Sequence, residues 1–142
     1  MSDNFKNILS LDVGDKRIGI AICSTASLLP SALMTIDATS SPIEVINAVV
    51  KKEDIKLIVV GIPRNLSGQN TPQTDKVLKF VSGLKDRIKI QVYLQDEALT
   101  SVKAEEFLDK KRDKYKKADI DQLAAVYILE DFISENKKIL YK

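Results

Sequence analysis

A chain of 142 residues, 44% of them apolar and 30% charged, has the size and balance of one ordinary soluble domain that can close its own core. With no histidine and a single cysteine, it excludes Ser-His-Asp and Cys-His catalysis, internal disulfides and most zinc sites. Its net charge of +2 is too small to mark a nucleic-acid binder by bulk electrostatics, so local patches must supply that affinity.

No apolar run approaches the roughly eighteen residues of a membrane span. Residues 1–7 lack the basic start and apolar stretch of a signal peptide. Cys23 follows the apolar stretch 18–22 and reads as a small buried hydrophobe in a reducing compartment. These features predict a cytoplasmic protein without membrane contact.

The chain opens with two β-rich runs, Ile8 to Val13 and Arg17 to Ile22, separated by a Gly-Asp pair that predicts a hairpin. Leu33 to Ile36 is a weaker third strand. Ser41-Pro42-Ile43-Glu44 has the form of a capping box, with Ile43, Ile46, Val49 and Val50 giving the helix one buried face. Leu57 to Gly61 is a short apolar run of the kind buried on both faces. A polar loop, 62–70, leads to Thr71-Pro72 and a second helix with Gly83 near its end.

Ile88 to Leu94 is the next strand. Thr100 or Ser101 starts a third helix, and Asp119 a fourth that runs to about Ile133. Strand-helix-strand alternation after an opening hairpin implies a three-layer α/β domain over residues 1–142. Its mixed sheet pairs an antiparallel meander with parallel strands, and helices cover both faces.

Carboxylates carry the candidate chemistry. Asp12 interrupts an apolar strand, where an ionised group is costly unless paired or bound to a cation, and Gly14 follows closely; the same D-V-G-D-K equally suits a simple turn. Gln95-Asp96-Glu97 ends a strand, where open α/β sheets place ligands, although such acids also suit a solvated strand end. Asp121 near a helix start either serves the helix dipole or faces the sheet, because Leu123-Ala124-Ala125-Val126 lets that helix press close. Asp119, with Gln122, completes a capping box, and Asp119 and Asp121 point about 200° apart, so only one faces the site.

Acids on separated elements, without histidine or a cysteine pair, suit an oxygen-ligand site for Mg²⁺ and phosphodiester hydrolysis. Basic residues lie nearby in sequence: Lys16 and Arg17 in the hairpin, Arg64 with Asn65 in the loop, and six Lys or Arg against one acid, Asp113, between Lys110 and Lys117. Beside carboxylates such residues attract a phosphate backbone.

At this point the segments resemble a known family. DVGDKRIG (Asp12 to Gly19), VVGIPRNLSG (Val59 to Gly68), QDEALTS (Gln95 to Ser101) and DQLAAVYILEDFI (Asp121 to Ile133) are similar, in order, to the four motifs of the YqgF/RuvX family. These are RuvC-like proteins of ribonuclease-H-like fold, described as Holliday-junction resolvases and as pre-16S ribosomal RNA nucleases. A lone D-x-G also occurs in sugar kinases, actin and Hsp70 chaperones, but those chains are far longer.

The resemblance implies Asp12, Glu97 and Asp121 as metal-binding catalytic acids, with Asp96 orienting Glu97 or sharing the metal. Lys16, Arg17, Asn65 and Gly68 are implied along the substrate path. It further implies Mg²⁺- or Mn²⁺-dependent attack of water that leaves a 5′-phosphate. One departure stands out, since Ala98 occupies the position of the family arginine after the Glu and Lys103 is the nearest basic residue downstream.

The leading expectation is processing of the 5′ end of pre-16S rRNA. A junction resolvase, which needs two active sites and hence a dimer, and a non-catalytic nucleic-acid-binding module are the alternatives. The chain itself is expected to be a monomer or a homodimer.

Overall fold

The computed structural model describes residues 7–65, 67–97 and 117–136. Its strands are β1 (Asn7–Val13), β2 (Arg17–Ser24), β3 (Ser31–Asp37), β4 (Ile55–Pro63) and β5 (Gln91–Glu97), and its helices α1 (Pro42–Lys52), α2 (Pro72–Arg87) and α3 (Lys117–Glu135). The strands form one sheet in the order β3-β2-β1-β4-β5. β1 and β2, and β2 and β3, pair antiparallel, while β4 lies parallel to both β1 and β5. This is the mixed ribonuclease-H-like α/β sheet expected from the sequence, with helices on both faces.

The two-residue side-chain period of the strands sorts the core into two layers. Leu9, Leu11, Ile18, Ile20, Ile58, Val60 and Ile62 pack with Ile46, Val49 and Val50 of α1 and Val77, Val81 and Leu84 of α2. The alternate residues Ile8, Ala21, Cys23 and Val59 face α3, meeting Ala125, Ile128, Leu129, Phe132 and Ile133. Tyr93 meets Phe132 edge-on on this second face, with ring centroids 4.8 Å apart. Cys23 is buried there, and burial pushes its thiol up to about 11, in keeping with a small core hydrophobe.

Local details depart from expectation where backbone geometry overrides pattern. Ser41 precedes α1 in the left-handed region (φ 52°, ψ 53°), and its hydroxyl caps nothing. An N-cap needs extended backbone to aim its side chain at the first turn, so the expected Ser41–Glu44 box does not form. α2 runs past Gly83 to Arg87, because Gly83 serves close packing: a Cβ there would stand 3.3 Å from Ile43 Cδ1. β5 accordingly begins at Gln91 and carries through Glu97, and β4 extends to Pro63.

α3 is already helical at Lys117, so Asp119 lies within the helix and is not its cap; Lys117 and Ala118 are both good helix formers. The helix expected from Thr100 or Ser101 lies outside the described residues. So do Ala98, Lys103 and the basic residues 110–116.

Thr71 does cap α2. Its extended backbone lets the side chain accept from the Thr74 amide, while the Thr74 hydroxyl accepts from the Thr71 amide. Thr71→Ala is expected to cost about 1 kcal/mol, read as a lower midpoint in urea with an unchanged slope.

Candidate active site

Parallel pairing brings the C-terminal ends of β1, β4 and β5 to one edge of the sheet, and alternation decides what they show there. On β1, Ser10 faces α3, donating from Oγ to the Ala125 carbonyl at 2.6 Å. Asp12, two residues on, therefore faces α3 as well. On β5, Tyr93 packs into the α3-side core, so Glu97 faces the same layer.

Two strand glycines let α3 come down close to these acids. Gly19 is the cross-strand partner of Asp12, and a Cβ on it would lie 2.0 Å from the Asp121 carbonyl oxygen. A Cβ on Gly61 would lie 2.4 Å from Ile128 Cδ1 and 3.8 Å from Glu97 Cγ. The backbone of Asp121 thus rests on Gly19 beside Asp12, and Glu97 reaches over Gly61. Asp121 is therefore seated on the sheet.

Burial, and after it the charge of Asp121, pushes the Asp12 carboxyl from its ordinary 3.8 up to about 7. One oxygen of Glu97, Oε1, is shielded from solvent. Asp121 has a partner of opposite charge, since Arg17 Nε donates to its Oδ2 at 2.8 Å. Among the described residues, no three acids are grouped tightly enough to enclose an ion. The donor chemistry nonetheless fits a hard divalent cation: every group is a carboxylate, and Asp12 with Asp121 is a like-charge pair that a cation relieves.

The remaining expected residues are placed around this edge. Lys16 is exposed in the β1–β2 turn, which is closed by Gly14 N–H donating to the Arg17 carbonyl at 2.9 Å. Arg64, following β4, donates from Nε to Asp96 Oδ1 at 3.0 Å and from a terminal nitrogen to Asn70 Oδ1 at 2.8 Å. Asn65 braces its own loop, its Oδ1 accepting from the Ser67 and Gln69 amides. Gly68 closes that loop with a left-handed φ of 77°.

Asp96 neither orients Glu97 nor joins its face. Alternation turns it to the other side of β5, where its side chain is 72% exposed and paired with Arg64. The seating role of Gly19 and Gly61 went unread in the sequence. The signal was there, because an isolated glycine inside a strand marks close approach of another backbone or side chain.

The RuvX family model, described as Holliday junction resolvase, matches residues 6–135. A protein of Caldanaerobacter subterraneus named "Putative pre-16S rRNA nuclease" is 40% identical over 136 residues, covering 92% of this chain and 97% of its own length. A protein of Crocosphaera subtropica with the same name is 38% identical over 136 residues, with 93% and 95% covered. Among solved structures, Thermus thermophilus RuvC in complex with a Holliday junction substrate superposes with a TM-score of 0.56 at 14% identity, covering 93% of this chain and 96% of that one. The fowlpox virus resolvase bound to Holliday junction DNA gives 0.54 at 14% identity, covering 94% and 99%. At such identities the structural likeness is one of fold.

Proposed function

This chain belongs to the RuvX family, and from that membership we propose that it is a divalent-metal-dependent nuclease acting in 5′-end processing of pre-16S rRNA. The whole of residues 1–142 acts as one nuclease domain. The observation that carries the metal dependence is the Asp12–Asp121 pair, brought together where Asp121 rests on Gly19, the cross-strand partner of Asp12; burial and that second carboxylate push the Asp12 carboxyl up. Asp12 and Asp121 would hold Mg²⁺ or Mn²⁺, and Glu97 from the end of β5 would complete the set. The cation would supply a water acidified toward hydroxide and charge stabilisation at phosphorus.

The chain's own residues do the rest. Gly19 and Gly61 fix how close α3 comes, and so where Asp121 stands relative to Asp12. Lys16 in the hairpin turn, with Arg64, Asn65 and Gly68 in the loop after β4, flank the acids and bind the phosphate backbone. The Arg64–Asp96 pair holds Arg64 in its loop. The named activity of the relatives supports RNA as substrate. The family's description as a resolvase supports a second reading, paired cutting of branched DNA.

The two readings separate in one experiment. A 5′-extended 16S precursor and a four-way DNA junction are offered side by side with Mg²⁺ or Mn²⁺. Metal-dependent trimming of the RNA, leaving 5′-phosphate ends, is the expected result. Symmetric nicks in the junction alone would move the assignment to a resolvase, and cutting of neither by folded protein would overturn the nuclease.

A further inference from the structure

Asp121 is already answered by a cation of the protein's own. Arg17 opens β2 and Asp121 lies 104 residues later on α3, so their 2.8 Å contact is made by the fold and not by local chain geometry. The pair is wet, with the Arg17 side chain 37% exposed and that of Asp121 20%. Ion pairs so exposed are weak and readily exchanged. A guanidinium seated on Asp121 also keeps that carboxylate from meeting a metal on the same oxygen.

Arg17 has a second environment beside it. It lines an open groove of about 660 Å³ together with Lys16, Thr35, Ile36, Asp37 and Thr39. The one carboxylate there, Asp37, is occupied: its Oδ1 accepts from the Thr39 amide at 2.7 Å and the Thr39 hydroxyl at 2.6 Å, and its Oδ2 from the Ser40 hydroxyl at 3.3 Å. Asp37 keeps its charge, but Lys16 together with a released Arg17 would outnumber it two to one. Guanidinium pairs with carboxylate and phosphate through the same donor geometry, so a displaced Arg17 has a phosphate site within its own reach.

We propose that Arg17 has two alternative partners, standing as the counter-ion of Asp121 in the metal-free protein and moving to substrate phosphate in the groove when a divalent cation takes Asp121. The inference rests on the metal-dependent reading above. It makes Arg17 a competitor of the metal and a helper of the substrate. Those two roles have opposite signs when the residue is removed.

The test is Mn²⁺ binding to the metal-stripped full chain without nucleic acid, by calorimetry, for wild type, Arg17→Gln and Arg17→Lys. Arg17→Gln is expected to bind Mn²⁺ about fivefold more tightly, equivalent to about 1 kcal/mol. Arg17→Lys keeps the competing charge and is expected to stay within about twofold of wild type. Saturated with metal, Arg17→Gln is further expected to show a higher KM for nucleic acid.

Unchanged or weaker Mn²⁺ binding in Arg17→Gln, with wild type binding normally, overturns the competition and leaves the metal reading intact. Equal tightening in both variants also overturns it, because the effect would then come from packing and not from charge. No Mn²⁺ binding by any of the three proteins overturns the metal reading itself, and this inference with it.

Discussion

Asp12→Asn is expected to abolish cleavage and, in the same protein, to raise the stability of the metal-free fold at neutral pH. The first effect follows from removing an anionic oxygen from the Asp12–Asp121 pair; a loss of at least about a hundredfold corresponds to about 3 kcal/mol of transition-state stabilisation. The second follows from the cost of keeping that pair. In the folded protein the Asp12 carboxyl is pushed up to about 7, against an ordinary 3.8. Between those values the folded chain holds a proton that the unfolded chain has released.

Stability therefore falls as pH rises through that window, by up to about 1.4 kcal/mol per pH unit, and stays low above it. Asparagine carries no such charge. The variant's midpoint in urea should exceed that of wild type by a margin that grows from pH 5 to pH 7 and is then constant. Mn²⁺ should close the gap by stabilising wild type alone. A variant less stable than wild type at pH 8 in EDTA would contradict the burial and like-charge strain assigned to Asp12.

Gly19→Ala is expected to be the most damaging alanine substitution among the glycines. The new Cβ would stand 2.0 Å from the Asp121 carbonyl oxygen and 2.2 Å from its carbonyl carbon, so the start of α3 has to lift. Overpacking against backbone belongs at the upper end of the usual cost, about 3 kcal/mol, which lowers the melting temperature by about 10 °C. Because the displaced atoms belong to Asp121, activity should fall well beyond what the lost stability explains when both proteins are assayed fully folded.

Gly61→Ala provides the contrast. There the nearest atom is Ile128 Cδ1, the free end of a flexible side chain, at 2.4 Å. A smaller loss of stability is expected, with Asp121 left in place. Equal losses in the two variants would show that α3 shifts as a whole and that Gly19 has no special relation to Asp121.

The hydrophobic pattern made most of this architecture legible. Continuous apolar runs such as Leu57 to Gly61 marked central strands, and the Gly-Asp pair marked the hairpin that sets Asp12 opposite Gly19. Strand ends were less legible, because β5 is placed by pairing with β4, Glu97 opposite Pro63, and not by its own composition. That shift carried Asp96 and Glu97 into the strand and onto opposite faces, a separation that adjacent acids in a sequence do not announce.

Long-range contacts were not legible at all. The Arg17–Asp121 pair joins β2 to the last described helix, 104 residues away, and no local spacing links them. Nor does the sequence announce the left-handed backbone of Ser41 that keeps it from capping the helix it precedes.

The most direct measurement is single-turnover cleavage of the 5′-extended 16S precursor in EDTA and after adding back Mg²⁺, for wild type, Asp12→Asn, Glu97→Gln and Asp121→Asn. Each variant would first be shown folded by its unfolding midpoint. The expected result is no cutting in EDTA, recovery in wild type on adding metal, and no recovery in any of the three variants. Cutting that persists in EDTA, or that survives loss of all three carboxylates in turn, would contradict a metal-dependent site built on Asp12, Glu97 and Asp121.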